Sequence, residues 1–280
     1  MLEVSATDDA VYKPRILAIA NQKGGVGKTT TAVNLAAALA ATGTPVLLID
    51  FDPQGNASTG FGVAPQDRGR GSYQLIDEGV PNDLTTYETK YDHLWLIPSG
   101  PDLVGAEVEL ANQPRREYRL REALSVWRDE APFRYILIDC PPSLGMLTLN
   151  ALVAADGVLV PLQTEFYALE GVSGLTRTIE MVRRRLNPAL RLAGVVLTMY
   201  DKRNNLSDLV ANDARDFFGE WVYDTVIPRN VRLSEAPSHG VPVAVYDARS
   251  SGALAYGELA AELIRRDDPA RAHVVAKAVI

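Results

Sequence analysis

The sequence has little of several features that mark other classes of protein. It contains one cysteine in 280 residues, which rules out an intrachain disulfide and favours a reducing cytosol. No uninterrupted apolar run reaches the about 18 residues that a conventional membrane-spanning helix needs. Residues 1–10 carry Glu3, Asp8 and Asp9 without a basic or apolar region, so a secretory signal is not supported.

Acidic residues outnumber basic ones, with 35 Asp and Glu against 28 Lys and Arg. The formal net charge is -7 at pH 7, which argues against a surface coated with cations for nucleic acid. Any contact with DNA must therefore come from a local patch. The histidines have no metal-like spacing, and no hydrolase triad is visible, so we assign no catalytic role to His93, His239 and His273.

The hydrophobic pattern predicts an α/β fold. Short apolar runs rich in β-branched residues alternate with longer amphipathic stretches, as expected for parallel strands joined by crossover helices. We therefore expect one doubly wound domain, with a mostly parallel twisted sheet and helices on both faces. The predicted strands are Ile16 to Ala20, Val46 to Ile49, Leu94 to Ile97, Tyr135 to Ile138, Val158 to Leu162, Ala193 to Thr198 and Val222 to Ile227. The predicted helices are Thr29 to Ala41, Arg115 to Asp129, Leu169 to Leu186, Asn205 to Phe218 and Gly252 to Arg266.

The boundaries of this domain follow from the same pattern. Residues 14–267 form the predicted domain, residues 1–13 a flexible N-terminal extension, and residues 268–280 a tail. The segment Gly60 to Pro81 is rich in Gly, Asp and Arg and indicates a loop-like insert.

A glycine-rich loop links the first predicted strand to the first predicted helix. Backbone amides in such a loop turn inward around phosphate oxygens, and the helix N-terminus adds partial positive charge. Lys28 is placed to reach the β- and γ-phosphates, and the Thr29 hydroxyl to ligate magnesium. The sequence therefore predicts ATP and Mg²⁺ binding by Lys23, Gly24, Gly25, Val26, Gly27, Lys28, Thr29 and Thr30.

Carboxylates follow two other predicted strands. Asp50 and Asp52 end the second strand and project to the same side if that strand continues. Asp139 ends the strand Tyr135 to Ile138, where an aspartate holds magnesium directly or through water. Carboxyl ends of strands in open α/β sheets face the ligand crevice, so these acids are predicted to lie near the loop.

The phosphate loop departs from the usual pattern G-x-x-x-x-G-K-[ST], because Gln22 stands where glycine is required. The run from Lys23 to Thr29 instead resembles the deviant Walker A box, K-G-G-x-G-K-[ST], of the ParA/Soj partition ATPases, MinD and the nitrogenase iron protein. That resemblance implies an ATP-sandwich homodimer in which Lys23 crosses to the partner's nucleotide. A second cation there would neutralise charge on the transferred phosphoryl group, which makes Lys23 a candidate catalytic residue beside Lys28.

The acidic segments resemble boxes of the same family. Asp50 to Asn56 is similar to D-x-D-P-Q-G-N, which implies that Asp52 holds the attacking water and has a catalytic role. Asp50 is then expected in the magnesium shell or in support of the loop. Asp139 to Ser143 is similar to D-x-P-P-S, so the resemblance places Asp139 with Thr29, Asp50 and Asp52 among the metal candidates.

The resemblance extends over roughly residues 15 to 265. The segments Thr198 to Asp201 and Pro228 to His239 look like the late signature of chromosomal ParA/Soj proteins, which implies that Met199, Pro228 and Asn230 line the adenine pocket. Family members bind double-stranded DNA non-specifically as ATP dimers, and Arg203 and Arg232 match arginines implicated in that binding. The resemblance also implies a ParB-type partner that stimulates hydrolysis, no membrane attachment, and a cytoplasmic, nucleoid-associated protein.

Proteins with the same fold also have other functions. A MinD-like membrane-cycling ATPase needs a C-terminal amphipathic anchor, which residues 270–280 do not resemble. An iron-protein reductase needs two cluster cysteines per subunit, and only Cys140 is present. A biosynthetic ligase would lack the DNA-binding arginines. An orphan ParA that positions another cargo is a further alternative. The cluster of Arg183, Arg184 and Arg185 has two interpretations, contact with DNA or complementing of a helix dipole.

Overall fold

Alternate residues of the strand β1 (Arg15–Ile19) are buried on opposite faces of one sheet. Ile16 and Ala18 pack into one hydrophobic cluster, and Leu17 and Ile19 pack into the other. Burial on both faces is typical of parallel strands covered by helices on each side. The computed structural model describes residues 11–79, 85–166 and 168–268.

The described residues form a seven-stranded sheet in the order β3-β4-β2-β5-β1-β6-β7. All neighbours pair in parallel except β3 and β4, which are antiparallel. Because β1 lies between β5 and β6, the strand order reverses beside it, and ligands of open α/β sheets bind at such a switch point. Besides β1, the strands are β2 (Val46–Asp50), β3 (Tyr87–Glu88), β4 (Leu94–Ile97), β5 (Tyr135–Asp139), β6 (Gly157–Gln163) and β7 (Arg191–Thr198).

Helices cover both faces, which confirms the doubly wound α/β prediction. One face carries α1 (Lys28–Ala41), α2 (Asn56–Gly60), α9 (Val231–Glu235), α10 (Val243–Tyr246) and α11 (Ser251–Asp267). The other face carries α3 (Ser72–Glu78), α4 (Leu103–Leu110), α5 (Arg119–Ala123), α6 (Met146–Ala154), α7 (Ala168–Arg185) and α8 (Asn205–Phe218). Within the described ranges, no helix has both the length and the apolar character needed to cross a bilayer.

One predicted strand is wrong. The segment from Val222 to Ile227 approaches β7 only at separate points, where Tyr223 N donates to Val195 O and Ile227 N donates to Leu197 O. Between these points, the backbone amides of Asp224 and Thr225 each donate to the Glu262 carboxylate on α11 over 2.9 Å. These bonds draw the middle of the segment out of the sheet ladder.

The predicted helix Arg115 to Asp129 is also wrong as one continuous element. It is divided into α5 and two short 3₁₀ turns, Arg116–Tyr118 and Leu124–Trp127. The Asn150 side chain on α6 accepts a bond from Leu120 N over 3.1 Å and donates to Arg116 O over 2.9 Å. A side chain that takes these backbone groups replaces the regular helical bonds at the break.

The expected loop between Gly60 and Pro81 contains helix α3, so the loop prediction is wrong for Ser72–Glu78. The Gln74 side chain accepts the amide of Gly71, and Gly79 ends the helix in the left-handed conformation. Residues 80–84 lie outside the described ranges. Helices α2, α4, α6, α9 and α10 and the short strand β3 were not predicted. The other predicted strands and helices are present with small shifts at their ends.

The domain boundaries stay a prediction. Tyr12, within the predicted extension, exchanges two backbone hydrogen bonds with Ala131, so strand-like pairing begins slightly before residue 14. Residues 1–10 and 269–280 lie outside the described ranges, and so does most of the predicted tail.

Candidate active site

The glycine-rich loop begins where β1 ends and runs into α1. Gly25 and Gly27 have φ values of 75° and 89°, a region that glycine adopts without the strain a side chain would bring. Side chains added at Gly24 or Gly25 would meet nothing within 4 Å, so this side of the loop is open to a ligand. Val26 is buried beneath the loop, and its carbonyl accepts the Thr198 hydroxyl over 2.8 Å.

Lys28 folds back over the loop that it follows. Its ammonium group donates to the carbonyl of Lys23 over 3.0 Å, and the side chain is buried. Burial lowers the pKa of Lys28, while the negative charges of Asp139 and Asp52 oppose that shift. The cation is therefore held at the loop, where an anionic ligand would replace the carbonyl as its partner.

The two acidic strand ends lie side by side, because Asp50 on β2 pairs in register with Asp139 on β5. Both carboxylate oxygens of Asp50 accept hydrogen bonds from the protein. Its Oδ2 atom accepts the amide and the hydroxyl of Ser58 over 2.7 and 2.6 Å, and Oδ1 accepts Asp52 N over 3.4 Å. Burial raises the pKa of Asp50 to about 6 despite these bonds. Of the two roles predicted for Asp50, this geometry favours support of the loop.

Asp139 has the opposite environment. It is fully buried, and neither carboxylate oxygen has a hydrogen-bond partner of normal geometry, although the Thr29 hydroxyl lies close enough to favour the ionised form. Burial and the neighbouring charge of Asp50 raise its pKa well above the usual range. Buried polar atoms without partners are uncommon and call for an explanation, of which a bound ion is one.

These residues fit a magnesium ion. Within the described ranges, no three His, Cys, Asp or Glu side chains form a complete metal site by themselves. Mg²⁺ is commonly held by one or two protein oxygens together with phosphate oxygens and water. The Asp139 carboxylate and the Thr29 hydroxyl supply such a partial set beside the phosphate loop.

Asp52 lies at the start of a tight turn after β2. Its carboxylate accepts Gln54 N over 3.0 Å, and its carbonyl accepts Gly55 N over 2.9 Å. The residue is 7% exposed, and its charge acts on both Lys28 and Asp139. The turn thus brings Asp52 to the same end of the sheet as the loop, as the sequence predicted.

Lys23 points away from its own loop. Its ammonium group lies 3.3 Å from the Glu165 carboxylate, which follows β6, and both side chains are partly exposed. The two lysines of the loop therefore differ, since Lys28 is buried at the loop and Lys23 is available at the surface.

A cavity of about 500 Å³ opens beside the phosphate loop at Gly27 and Thr30. The three residues predicted for the adenine pocket all line it, although they come from separate segments of the chain. Met199 follows β7 and has a φ of 52°, and the backbone there pairs with the segment that begins at Ile227. The cavity wall includes Met199, Pro228, Asn230, Leu233, Pro237 and Tyr256.

The two predicted DNA-binding arginines are exposed but paired with acids. Arg203 makes two bonds to the Asp201 carboxylate, over 3.0 and 2.9 Å, and lowers the pKa of that carboxyl to about 2. Arg232 lies 2.8 Å from Glu235 and 3.3 Å from Asp247. A DNA phosphate would have to compete with these carboxylates.

Sequence reasoning missed the residues that support the site. Ser58 holds Asp50, Thr198 holds the loop carbonyl of Val26, and Glu165 holds Lys23. Each of these contacts joins segments that are distant in the chain or depends on a turn. No local pattern could have identified them.

The site and its position define a class of protein. A family model described as an AAA domain matches residues 14–192, more than half of the chain. With a phosphate loop at the switch point of a doubly wound sheet, the chain is a P-loop ATPase.

The relatives narrow this class. The chain is 57% identical over 253 residues to the chromosome partitioning protein ParA of Caulobacter vibrioides, covering 90% of this chain and 95% of that protein. It is 55% identical over 254 residues to the chromosome-partitioning ATPase Soj of Thermus thermophilus, covering 91% and 97%. The chain belongs to the ParA/Soj family of chromosome partitioning ATPases.

A solved structure gives the same fold with a nucleotide. The cobyrinic acid a,c-diamide synthase from Mycobacterium smegmatis, with bound ATP analogue and magnesium, has a TM-score of 0.81 to this chain. It is 39% identical and covers 91% of this chain and 96% of its own. That synthase is a biosynthetic enzyme by name, but its identity to this chain is lower than that of the two partitioning proteins.

Proposed function

We propose that this chain uses ATP and Mg²⁺ to form a homodimer, binds double-stranded DNA without sequence preference as that dimer, and segregates a chromosome or plasmid. A ParB-type partner bound at a centromere stimulates hydrolysis, and the released monomers exchange nucleotide before they bind DNA again. The protein is cytoplasmic and associated with the nucleoid. The observation that carries the proposal is the difference between the two loop lysines, in a chain of the ParA/Soj family.

Different residues of the site bind the phosphates, hold the metal ion and orient the attacking water. The amides of the loop from Gly24 to Gly27 cradle the phosphates, and Lys28 donates to the β- and γ-phosphate oxygens. Thr29 and Asp139 would hold Mg²⁺, which would supply positive charge against the phosphate oxygens. Asp52 accepts a hydrogen bond from the attacking water and orients it in line with the γ-phosphate.

The dimer completes each site. Lys23 is partly exposed and carries a carboxylate partner that a more highly charged nucleotide phosphate can replace. When two loops face each other across ATP, Lys23 of each chain reaches the nucleotide of the other. Dimerisation then depends on ATP, because the triphosphate supplies the anionic partner for both lysines.

DNA binding follows from local charge on an acidic protein. Arg203 and Arg232 contact backbone phosphates, so binding needs no base readout and weakens steeply with salt. Arg203 lies near the turn after β7, whose backbone pairs with the segment leading to Arg232, so both arginines belong to one end of the molecule. Their acid partners keep the monomer's affinity for DNA low.

A gel shift with unrelated duplex DNA tests this function. The proposal predicts a shift that requires ATP and Mg²⁺, does not depend on DNA sequence, and disappears as salt is raised. A protein that hydrolyses ATP but gives no shift at low salt would refute the DNA function. The same protein tested with vesicles of anionic lipid distinguishes a MinD-like membrane ATPase, which would bind the vesicles instead.

A further inference from the structure

Arg68 is a buried cation, and its hydrogen-bond partners among the described residues are all neutral. The residue is 9% exposed. Its guanidinium group donates hydrogen bonds to the carbonyls of Val63 and Ser99 over 3.1 and 3.2 Å. A third bond, over 2.7 Å, goes to the hydroxyl of Thr59. Burying a charge without a counter-ion costs free energy, so the three bonds must hold the guanidinium firmly in one orientation.

The guanidinium lies directly against the turn that carries Asp52. A Cβ atom placed on Gly55 would lie 1.9 Å from Nη1 of Arg68 and 2.8 Å from the carbonyl oxygen of Ser99. Gly55 also has a φ of 63°, which glycine tolerates. Arg68 and Ser99 therefore form the outer wall of the turn from Asp52 to Gly55.

The helix that follows this turn is anchored from two sides. On one side, Ser58 of α2 bonds to Asp50, and its hydroxyl accepts Ser99 N over 3.0 Å. On the other side, Arg68 joins Thr59 of α2 to the carbonyl of Ser99. The backbone after Asp52 is thus fixed at Ser99 twice, once through Ser58 and once through Arg68.

We propose that Arg68 is a positioning residue for ATP hydrolysis, which holds the Asp52 turn in the geometry needed to orient water. This inference rests on the role of Asp52 in the proposed function. Arg68 acts on the turn and on α2, and it contacts neither the phosphate loop nor the nucleotide cavity. Its loss should slow turnover and leave nucleotide affinity unchanged.

The test compares Arg68→Ala with Arg70→Ala. Arg70 belongs to the same segment, but its side chain bonds to Glu78 at the surface, so it is a matched control. A displacement on the order of 1 Å at a reacting group can cost about 100-fold in rate. We expect Arg68→Ala to lower kcat by about 10- to 100-fold while the Kd for ATP, measured by calorimetry, changes by less than about twofold.

The result for the conservative variant separates geometry from charge. Arg68→Lys keeps the positive charge but loses the planar fork that reaches three acceptors. We expect it to recover only part of the lost turnover. Full recovery would mean that charge alone is required, and it would overturn the positioning role.

Thr59→Val covers the case in which Arg68→Ala does not fold. It removes one acceptor of Arg68, together with the hydrogen bond that the Thr59 hydroxyl donates to the carbonyl of Gly55 over 3.2 Å, and nearly conserves the volume of the side chain. Turnover is measured below the unfolding temperature of each variant, determined by circular dichroism. We expect Thr59→Val to lower kcat with ATP affinity retained. Unchanged kcat in this variant, or in folded Arg68→Ala, would overturn the inference, as would equal losses of kcat and ATP affinity.

Asp52→Ala, assayed in parallel, separates failure of this inference from failure of the function on which it rests. If Asp52→Ala turns over ATP normally, the role of Asp52 is wrong and the inference falls with it. If Asp52→Ala is inactive while Arg68→Ala matches Arg70→Ala, only the role of Arg68 is refuted.

Discussion

Asp139 lies opposite Asp50 on the neighbouring strand, yet only Asp50 is held by hydrogen bonds from the protein. Two identical side chains in one register therefore have different roles. Through Ser58, Asp50 fixes the turn after β2 and helix α2. Asp139 remains a buried carboxylate without compensating hydrogen bonds, which makes it a ligand for a cation. When no cation is bound, burial of this group lowers the stability of the fold.

Asp139→Asn should therefore stabilise the metal-free protein while it abolishes hydrolysis. The amide replaces an acid whose ionised form is opposed by burial and by the charges of Asp50 and Asp52. We expect a gain in the free energy of unfolding on the order of 1–3 kcal/mol near neutral pH, measured by urea denaturation without nucleotide or metal. Ser143→Ala is a nearby control that changes no charge. A less stable Asp139→Asn protein would contradict this account of the carboxylate.

The pH dependence of that gain has a definite sign. Because the pKa of Asp139 is raised in the folded state, the native protein keeps its proton while the unfolded chain loses it above about pH 4. Stability of the unchanged protein therefore falls as pH rises from there toward the folded pKa, and the asparagine variant escapes this loss. The difference between the two proteins should grow with pH across that window. A constant difference would show that Asp139 titrates normally.

Lys28→Ala should abolish detectable ATP binding. A charge-assisted hydrogen bond contributes about 1.5–3 kcal/mol, so loss of the contacts to two phosphates should weaken binding by more than about 100-fold. Calorimetry with ATP and magnesium measures this, and Lys13→Ala, an exposed lysine 77% accessible at its side chain, serves as the control. Unchanged ATP affinity in Lys28→Ala would overturn the assignment of the phosphate loop.

Arg203→Glu combined with Arg232→Glu should abolish retention on DNA and spare ATP-dependent dimerisation. Each lost phosphate contact should reduce the slope of log affinity against log salt by about 0.9. The control is Arg184→Glu with Arg185→Glu, which makes the same charge change at the C-terminal end of α7. Gel shifts equal to those of the unchanged protein would place the DNA surface elsewhere, and a loss confined to the control pair would assign it to α7.

Local pattern was enough to predict six of the seven strands found in the described residues, and the phosphate loop. Strands such as Tyr135–Asp139 are apolar on both faces, and the glycines that precede Lys28 define the loop by their spacing. The resemblance then identified Met199, Pro228 and Asn230, which the fold gathers around one cavity.

The remaining features depend on contacts between distant parts of the chain. Glu262 on α11 accepts hydrogen bonds from two backbone amides of the segment that was predicted as a strand. Asn150 on α6 bonds to the backbone of the predicted helix and divides it. In the sequence alone, Arg68 is one of several charged residues in a polar segment. Its role becomes visible only from its three hydrogen-bond acceptors in the structure. These side chains act on backbone far from their own positions, so neither propensity nor periodicity reveals them.

The central claim is that ATP joins two chains, and Asp52→Ala tests it most directly by light scattering. With hydrolysis blocked and the loop intact, this variant should be a dimer in ATP and Mg²⁺ and a monomer in ADP. Adding Lys23→Ala to the same variant should return it to a monomer in ATP, because the lysine that crosses to the partner is lost. A monomeric Asp52→Ala protein at saturating ATP would contradict the account.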